Sequence, residues 1–288
     1  MLEQNAMIKK IVQCAHWHDL PESVNEAVRI VDDPADAENE KLVEMIEQTP
    51  ELKESILKYM NSPRFALSGR VEDIKSAVVN LGHEIIRNFL AGYMTKFLLD
   101  GGEHERPAFS IREYWHHTLS TCLAAELLGE KIGFENRFRL FTYGLIHDIG
   151  IVVVEACFPH MLDAIFEKIE AGVPMMVAEK MVLGGVTHGD IGAWLCQKWN
   201  LDETGTMIVH YHHMPMVAPQ QTTEMLLLYL GNIIGTRVYE SRMKVNFGDM
   251  AADNEVRVRL GLTEEDIMEV DGEIDGKVEE FERKYVFV

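Results

Sequence analysis

The sequence predicts an all-α protein, and three observations carry that prediction. Apolar residues recur at helical spacing through nearly the whole 288-residue chain. Corners marked by Gly or Pro separate stretches of helical length. The one β-branched run, "IVVVEA" at 151–156, has no second strand to pair with and reads as a helix end or connector.

The elements follow in order. Leu42, Met45 and Ile46 begin one apolar stripe, and Leu52, Ile56, Tyr59 and Met60 make the next. "NSPRF" (61–65) breaks it, because Pro63 disfavours a helical Ser62. Residues 71–81 and 83–99 read as two helices around the corner "NLGHE", and "DGGEHERPAFS" (100–110) is a polar loop. Beyond it, Leu119, Cys122, Leu123 and Leu127 share the face of a helix of about four or five turns. Helices are expected over 137–149, 160–171, 174–184, 188–199, 203–213 and 223–240. In the polar, acidic tail, Thr263 and Asp266 have the spacing of a capping box. No solenoid repeat or low-complexity tract is present.

Composition narrows the partners. The chain is 47% hydrophobic and 26% charged, as in a globular protein, with 27 basic against 47 acidic residues and a formal charge of −20. Its pI is near 5.0. So acidic a surface repels phosphate backbones, so neither nucleic acid nor an anionic membrane is an expected partner. No apolar run of membrane-spanning length and no secretory leader is read in the sequence. Cys14, Cys122, Cys157 and Cys196 are widely spaced, as expected of reduced thiols in a cytoplasmic protein.

The chemistry-bearing residues are His117, His147, Asp148, His188, His212, His213 and Asn232. His188 is in register with Ile191, Gly192, Leu195 and Trp199, and Asn232 with Met225, Leu228, Tyr229 and Ile233. His212 and His213 each lie four residues after Ile208 and Val209, and "GLIHDIG" (144–150) sets His147 and Asp148 among apolar neighbours. His117 shares a face with Tyr114, Thr121, Ala124 and Leu128. Each alone reads as a core polar group satisfied by a neighbour. Together, inward imidazoles and a carboxylate on separate helices can converge on one interior point and hold a divalent metal; the donor types suit iron, manganese, zinc or nickel. His16, His18, His83, His104 and His160 read as loop, surface or capping residues, with His116 and His210 facing away from the centre.

Several blocks, "DPADAENEKLVEMIEQTPELKESILKYMNSPRF", "VEDIKSAVVNLGHEIIRNFL", "YWHHTLSTCLAAELL", "GLIHDIG", "THGDIGAWLCQKWNL" and "HYHH", resemble the HDOD family, an output domain related to HD-type metal-dependent phosphohydrolases. The resemblance spans roughly residues 20–240. It implies an N-terminal helical bundle (1–100) packed on an HD-like helical core (110–240), with 241–288 an acidic helical extension. It implies the ligand set His117, His147 with Asp148, His188, and His212 with His213. The closing Asp of catalytic relatives falls on Asn232, which can coordinate only through a neutral oxygen. Where HD-GYP relatives carry Lys after "HDIG" to meet a phosphate, this chain has Ile151, and no G-Y-P follows the His pair.

The resemblance therefore implies a regulatory output module of bacterial signal transduction that binds a signalling protein or small-molecule signal. It is expected to be non-catalytic, with its metal site partly retained. The alternative it implies is a metal-dependent phosphohydrolase acting on a nucleotide or cyclic nucleotide. A metal or redox-gas sensor is a third reading. No receiver, kinase or diguanylate cyclase segment is recognised, so coupling to a signal is expected in trans.

Overall fold

The computed structural model describes residues 5–14, 43–44, 46–61, 70–81, 86, 90, 92, 99, 105–106, 108–199, 201–244, 247 and 254–284. The corner after Asn61, most of the helix expected over 83–99, and His16, His18, His83 and His104 lie outside these residues.

The chain is helical, as its periodicity predicts. Helix α1 (Ala6–Val12), not read in the sequence, is capped by Asn5, whose Oδ1 accepts from the Met7 N–H at 2.7 Å. Helices α2 (Pro50–Met60) and α3 (Ile74–Leu81) follow. The amide of Asn61 ties their ends together: it donates to the Val71 carbonyl and accepts from the Val71 N–H, both at 2.8 Å. Ile8, Ile56 and Ile74 enter the same continuous apolar core as Leu119, Phe141 and Leu227.

Within the expected polar loop, β1 (Glu105–Arg106) and β2 (Phe109–Ser110) form a short antiparallel pair. Arg106 pairs with the buried Glu155, and with Asp163 at 2.5 Å. The long helix α4 (Ile111–Lys131) begins where the Ser110 hydroxyl accepts from the Glu113 N–H. Then come α5 (Arg137–Ile146), α6 (Ile149–Cys157), α7 (Pro159–Glu170) and α8 (Met175–Val182). They are followed by α9 (His188–Lys198), α10 (Glu203–Tyr211), a 3-10 turn at Pro215–Val217, and α11 (Thr223–Met243). Helix α11 packs along α4, and α9 crosses both α6 and α10.

Two expectations need correction. The helix expected over 137–149 ends at Ile146, and "IVVVEA" belongs to a helix of its own, α6. Val152, Val153 and Val154 are buried inside the bundle, where packing outweighs the strand preference of β-branched residues. The sequence also hid a stretch, Arg139–Cys157, that is long and apolar enough by composition to cross a membrane. In the fold 83% of its apolar window is buried, split between α5 and α6.

The acidic tail folds back. Helices α12 (Asn254–Leu260) and α13 (Glu264–Lys284) follow α11. The expected capping box is formed: Asp266 accepts from the Thr263 N–H at 2.8 Å, and the Thr263 hydroxyl accepts from the Asp266 N–H at 3.1 Å. Ile267, Val270, Ile274, Val278 and Phe281 make a buried stripe on α13, which lies against α4. The His116 ring points away from the other histidines, its nitrogens 2.9 Å from Asp275 and 3.2 Å from Glu282 of α13. The four cysteines form no disulfide with one another; Cys122 and Cys196 are buried.

Candidate metal centre

The site is assembled where helices begin and end. His117 projects from α4, while His147 and Asp148 fill the corner between α5 and α6. His188 is the first residue of α9, fixed by a capping box between Thr187 and Asp190. His212 and His213 follow the last turn of α10, and Asn232 lies midway along α11.

A close crossing sets the spacing between the α6 and α9 contributions. A Cβ on Gly150 would stand 1.9 Å from the His188 carbonyl oxygen, and one on Gly192 would stand 3.2 Å from the Gly150 nitrogen. Only glycine lets the α6 backbone approach the start of α9 this closely, which brings Asp148 beside His188.

All five histidines converge on the Asp148 carboxylate, in two lobes rather than at one point. The Nε2 atoms of His117 and His147 each lie 3.2 Å from Asp148 Oδ2. On the opposite side, His188 Nε2 lies 3.3 Å and His212 Nε2 3.2 Å from Oδ1. His213 joins the second lobe, its Nε2 3.2 Å from His188 Nε2. Candidate ligand atoms of His117, His147 and Asp148 lie within 4.8 Å of one another, and so do those of Asp148, His188, His212 and His213. Asn232 borders the centre, its Nδ2 3.5 Å from His213 Nδ1. His210, by contrast, turns to Asp190 at 3.0 Å, away from the centre as expected.

The hydrogen bonds behind the rings fix the available donors. His147 Nδ1 lies 2.7 Å from the Gly144 carbonyl, and His212 Nδ1 lies 2.8 Å from that of Val209. A carbonyl only accepts, so both Nδ1 atoms carry a proton, and both rings turn their Nε2 atoms toward Asp148. His188 Nδ1 faces Glu179 Oε1 at 2.5 Å, and the other Glu179 oxygen accepts from the His188 N–H at 3.2 Å. Glu179 was not picked from the sequence; its signal there is a face shared with Met175 and Met176.

The charge state reflects this crowding. Burial opposes charge on His188, but the Glu179 and Asp148 carboxylates raise its pKa to about 10. Burial lowers His212 to about 4 despite Asp148, and His213 falls well below the ordinary histidine value for the same reason. Burial would raise Asp148, yet the surrounding imidazoles hold it well below the usual carboxylate range. Asn232 Oδ1 is buried without a hydrogen-bond partner, while Asp148 Oδ1 faces the Nε2 atoms of His188 and His212. Imidazole nitrogens crowded around a carboxylate, with a stranded oxygen acceptor beside them, fit divalent-cation chemistry.

A cleft of about 330 Å³ reaches this centre, with His117, Asp148, His213 and Asn232 in its lining. Ile151 also lines it, and no Lys or Arg does among the described residues.

The HDOD domain profile matches residues 18–215, well over half of the chain. The chain belongs to the HDOD family. A curated relative, a Treponema pallidum (strain Nichols) protein described as uncharacterised, is 29% identical over 204 residues. That match covers 70% of this chain and 38% of the relative, so the chain spans well under half of the relative's length. A Geobacter sulfurreducens HDOD domain protein of unknown function superposes with a TM-score of 0.60 at 21% identity, over 90% of this chain and 91% of that one. A "putative signal transduction protein" from Marinobacter aquaeolei VT8 gives 0.64 at 22% identity, over 93% of this chain and 59% of its own. A "putative phosphohydrolase" from Shewanella amazonensis SB2B gives 0.62 at 18%, over 100% and 98%. At these identities the structures support the HDOD fold itself: an N-terminal helical bundle packed on an HD-like core.

Proposed function

We propose that this HDOD chain is a non-catalytic regulatory module of bacterial signal transduction that retains a two-lobed divalent-metal site. His117, His147 and Asp148 would hold one ion, with Asn232 as a neutral fourth donor. Asp148, His188, His212 and His213 would hold the other, with Glu179 orienting His188. A divalent ion here supplies Lewis acidity. The lobes are unequal, because the second offers three imidazoles and a carboxylate while the first lacks an anion at Asn232. The module passes its signal to a protein partner or takes a small-molecule signal.

One observation carries the non-catalytic reading: no Lys or Arg among the described residues lines the cleft over the centre, and Ile151 faces it. A phosphoester approaching there meets no lysine or arginine of the described lining to offset its charge. The phosphohydrolase alternative draws its support from the assembled donor set.

Metal analysis of the purified protein, paired with a phosphohydrolase screen, separates the two readings. It is run on wild type and on the His147→Ala/Asp148→Ala double variant. Metal in wild type, lost from the variant, with no turnover in either is the expected result. Turnover that disappears in the double variant would overturn it.

A further inference from the structure

The cleft that opens onto the centre differs chemically from the centre itself. One wall is a continuous stripe on α7, formed by Leu162, Ile165, Phe166 and Ile169 at i, i+3, i+4 and i+7. Met175 and Met176, at the start of α8, add flexible thioether side chains that adapt to varied shapes. Aromatic rings make the rest: Tyr114 lies 5.9 Å from Phe109, and Tyr239 lies 5.9 Å from Phe247 and 6.0 Å from His117. The lining's acidic groups are Asp148 and Glu179, and Glu179 is engaged by His188.

The polar demand in this cleft is specific. Asn232 is 2% exposed and its Oδ1 has no hydrogen-bond partner. Asp148 Oδ1, beside it in the lining, already faces the His188 and His212 Nε2 atoms. Asn232 Oδ1 is an acceptor, and an unpaired buried acceptor is costly, so its missing complement is a donor. An anionic head would meet Asp148 with no lysine or arginine among the described lining residues to balance it, whereas an uncharged hydroxyl can donate. The volume is at the lower end of pockets that enclose small organic ligands.

We propose that this cleft binds an uncharged, hydrophobic molecule of medium chain length, its hydroxyl head donating to Asn232 Oδ1 beside Asp148 and its apolar body lying along the α7 stripe. The inference deepens the preceding reading by naming its small-molecule signal by chemistry, and it rests on that reading only for what the signal does. Binding itself needs no metal.

The test is calorimetric titration of the full chain, stripped of metal and then loaded with Mn²⁺, using 1-octanol, octanoate and adenosine monophosphate as probes. Octanol should bind saturably to the metal-free form, where Asn232 Oδ1 is open to its hydroxyl. Octanoate should bind only after Mn²⁺ loading, since a cation is then present to meet its charge. Phe166→Glu should weaken octanol binding on the order of tenfold or more. Met176→Glu should do the same, and its charge at a helix N-terminus favours folding. Neither should change Mn²⁺ stoichiometry. The proposal is overturned if octanol does not bind the metal-free form, if both variants bind it as wild type does, or if the nucleotide binds more tightly. Failure to bind Mn²⁺, with octanol binding intact, would sink the metal reading and leave this one standing.

Discussion

Gly150→Ala tests the geometry on which the site depends. The added Cβ would meet the His188 carbonyl oxygen at 1.9 Å, the His188 carbonyl carbon at 2.7 Å and the Gly192 nitrogen at 2.9 Å. These are backbone atoms, so no side chain can rotate away, and α6 and α9 must separate by more than an ångström to reach ordinary contact. Overpacking of this kind costs about 1–3 kcal/mol, here at the upper end. Removing a helical glycine returns at most about 1 kcal/mol. A net loss of about 2 kcal/mol lowers the melting temperature of a chain this size by about 4–8 °C. The same separation moves His188 from Asp148 Oδ1, so the second lobe should lose divalent-ion affinity beyond the stability loss. The control is Gly272→Ala, an exposed position on α13 where a Cβ meets nothing within 4 Å. There the same change should stabilise by about 0.5–1 kcal/mol. Calorimetric melting in chelator reads stability, and Mn²⁺ titration reads the lobe. A Gly150→Ala protein that melts at or above wild type would refute the close crossing as the element that positions His188.

Two further outcomes follow from the site and its flank. Asn232→Asp supplies the first lobe with an anion, so Mn²⁺ affinity should rise on the order of tenfold, while the metal-free protein melts lower because two carboxylates then face each other. Calorimetry with and without chelator reads both, and unchanged affinity would remove Asn232 from the ligand set. Separately, Arg242 on α11 grips Glu113 of α4 at 2.5 and 3.1 Å and, against the opposing effect of burial, holds its carboxyl below the ordinary value of 4.5. A depressed carboxylate pKa contributes stability above the ordinary value and loses it as pH falls through the lowered one. Arg242→Ala should therefore lower the melting temperature near neutral pH and narrow its gap from wild type below pH 4.5; a constant gap would contradict the pairing.

Much of this was legible in the sequence, for reasons that differ by residue. His188 and Asn232 could be placed because their apolar neighbours recur at helical spacing, which fixes the face even when the partner is unknown. The α13 stripe was equally readable, since Ile267, Val270, Ile274, Val278 and Phe281 keep that spacing, but its density of acidic residues made the tail look solvated. The break at His147–Asp148 was not readable. Nothing local stops a helix there, and only the crossing of α6 over α9 explains why the chain turns. Glu179 was silent for the same reason: its partner, His188, is nine residues away across a turn. Periodicity also names the donors without saying which carboxylate oxygen each will face, so one centre was expected where two lobes form.

That two-lobed arrangement bears on what retaining the ligands means. His147 and His212 turn their Nδ1 atoms to backbone carbonyls and their Nε2 atoms to a carboxylate that can only accept. A positive charge is favoured in the space between: against burial, the Glu179 and Asp148 carboxylates favour a proton on His188. A divalent ion would serve better there, because one cation can accept several lone pairs at once whereas a proton satisfies one. Any one of these residues removed would leave the others buried, polar and mismatched. The donor set is therefore interdependent as structure, whether or not a reaction takes place above it. Its completeness argues for a cation and is neutral on turnover. The reaction question belongs to the cleft, where Ile151 and the α7 stripe stand in place of charge.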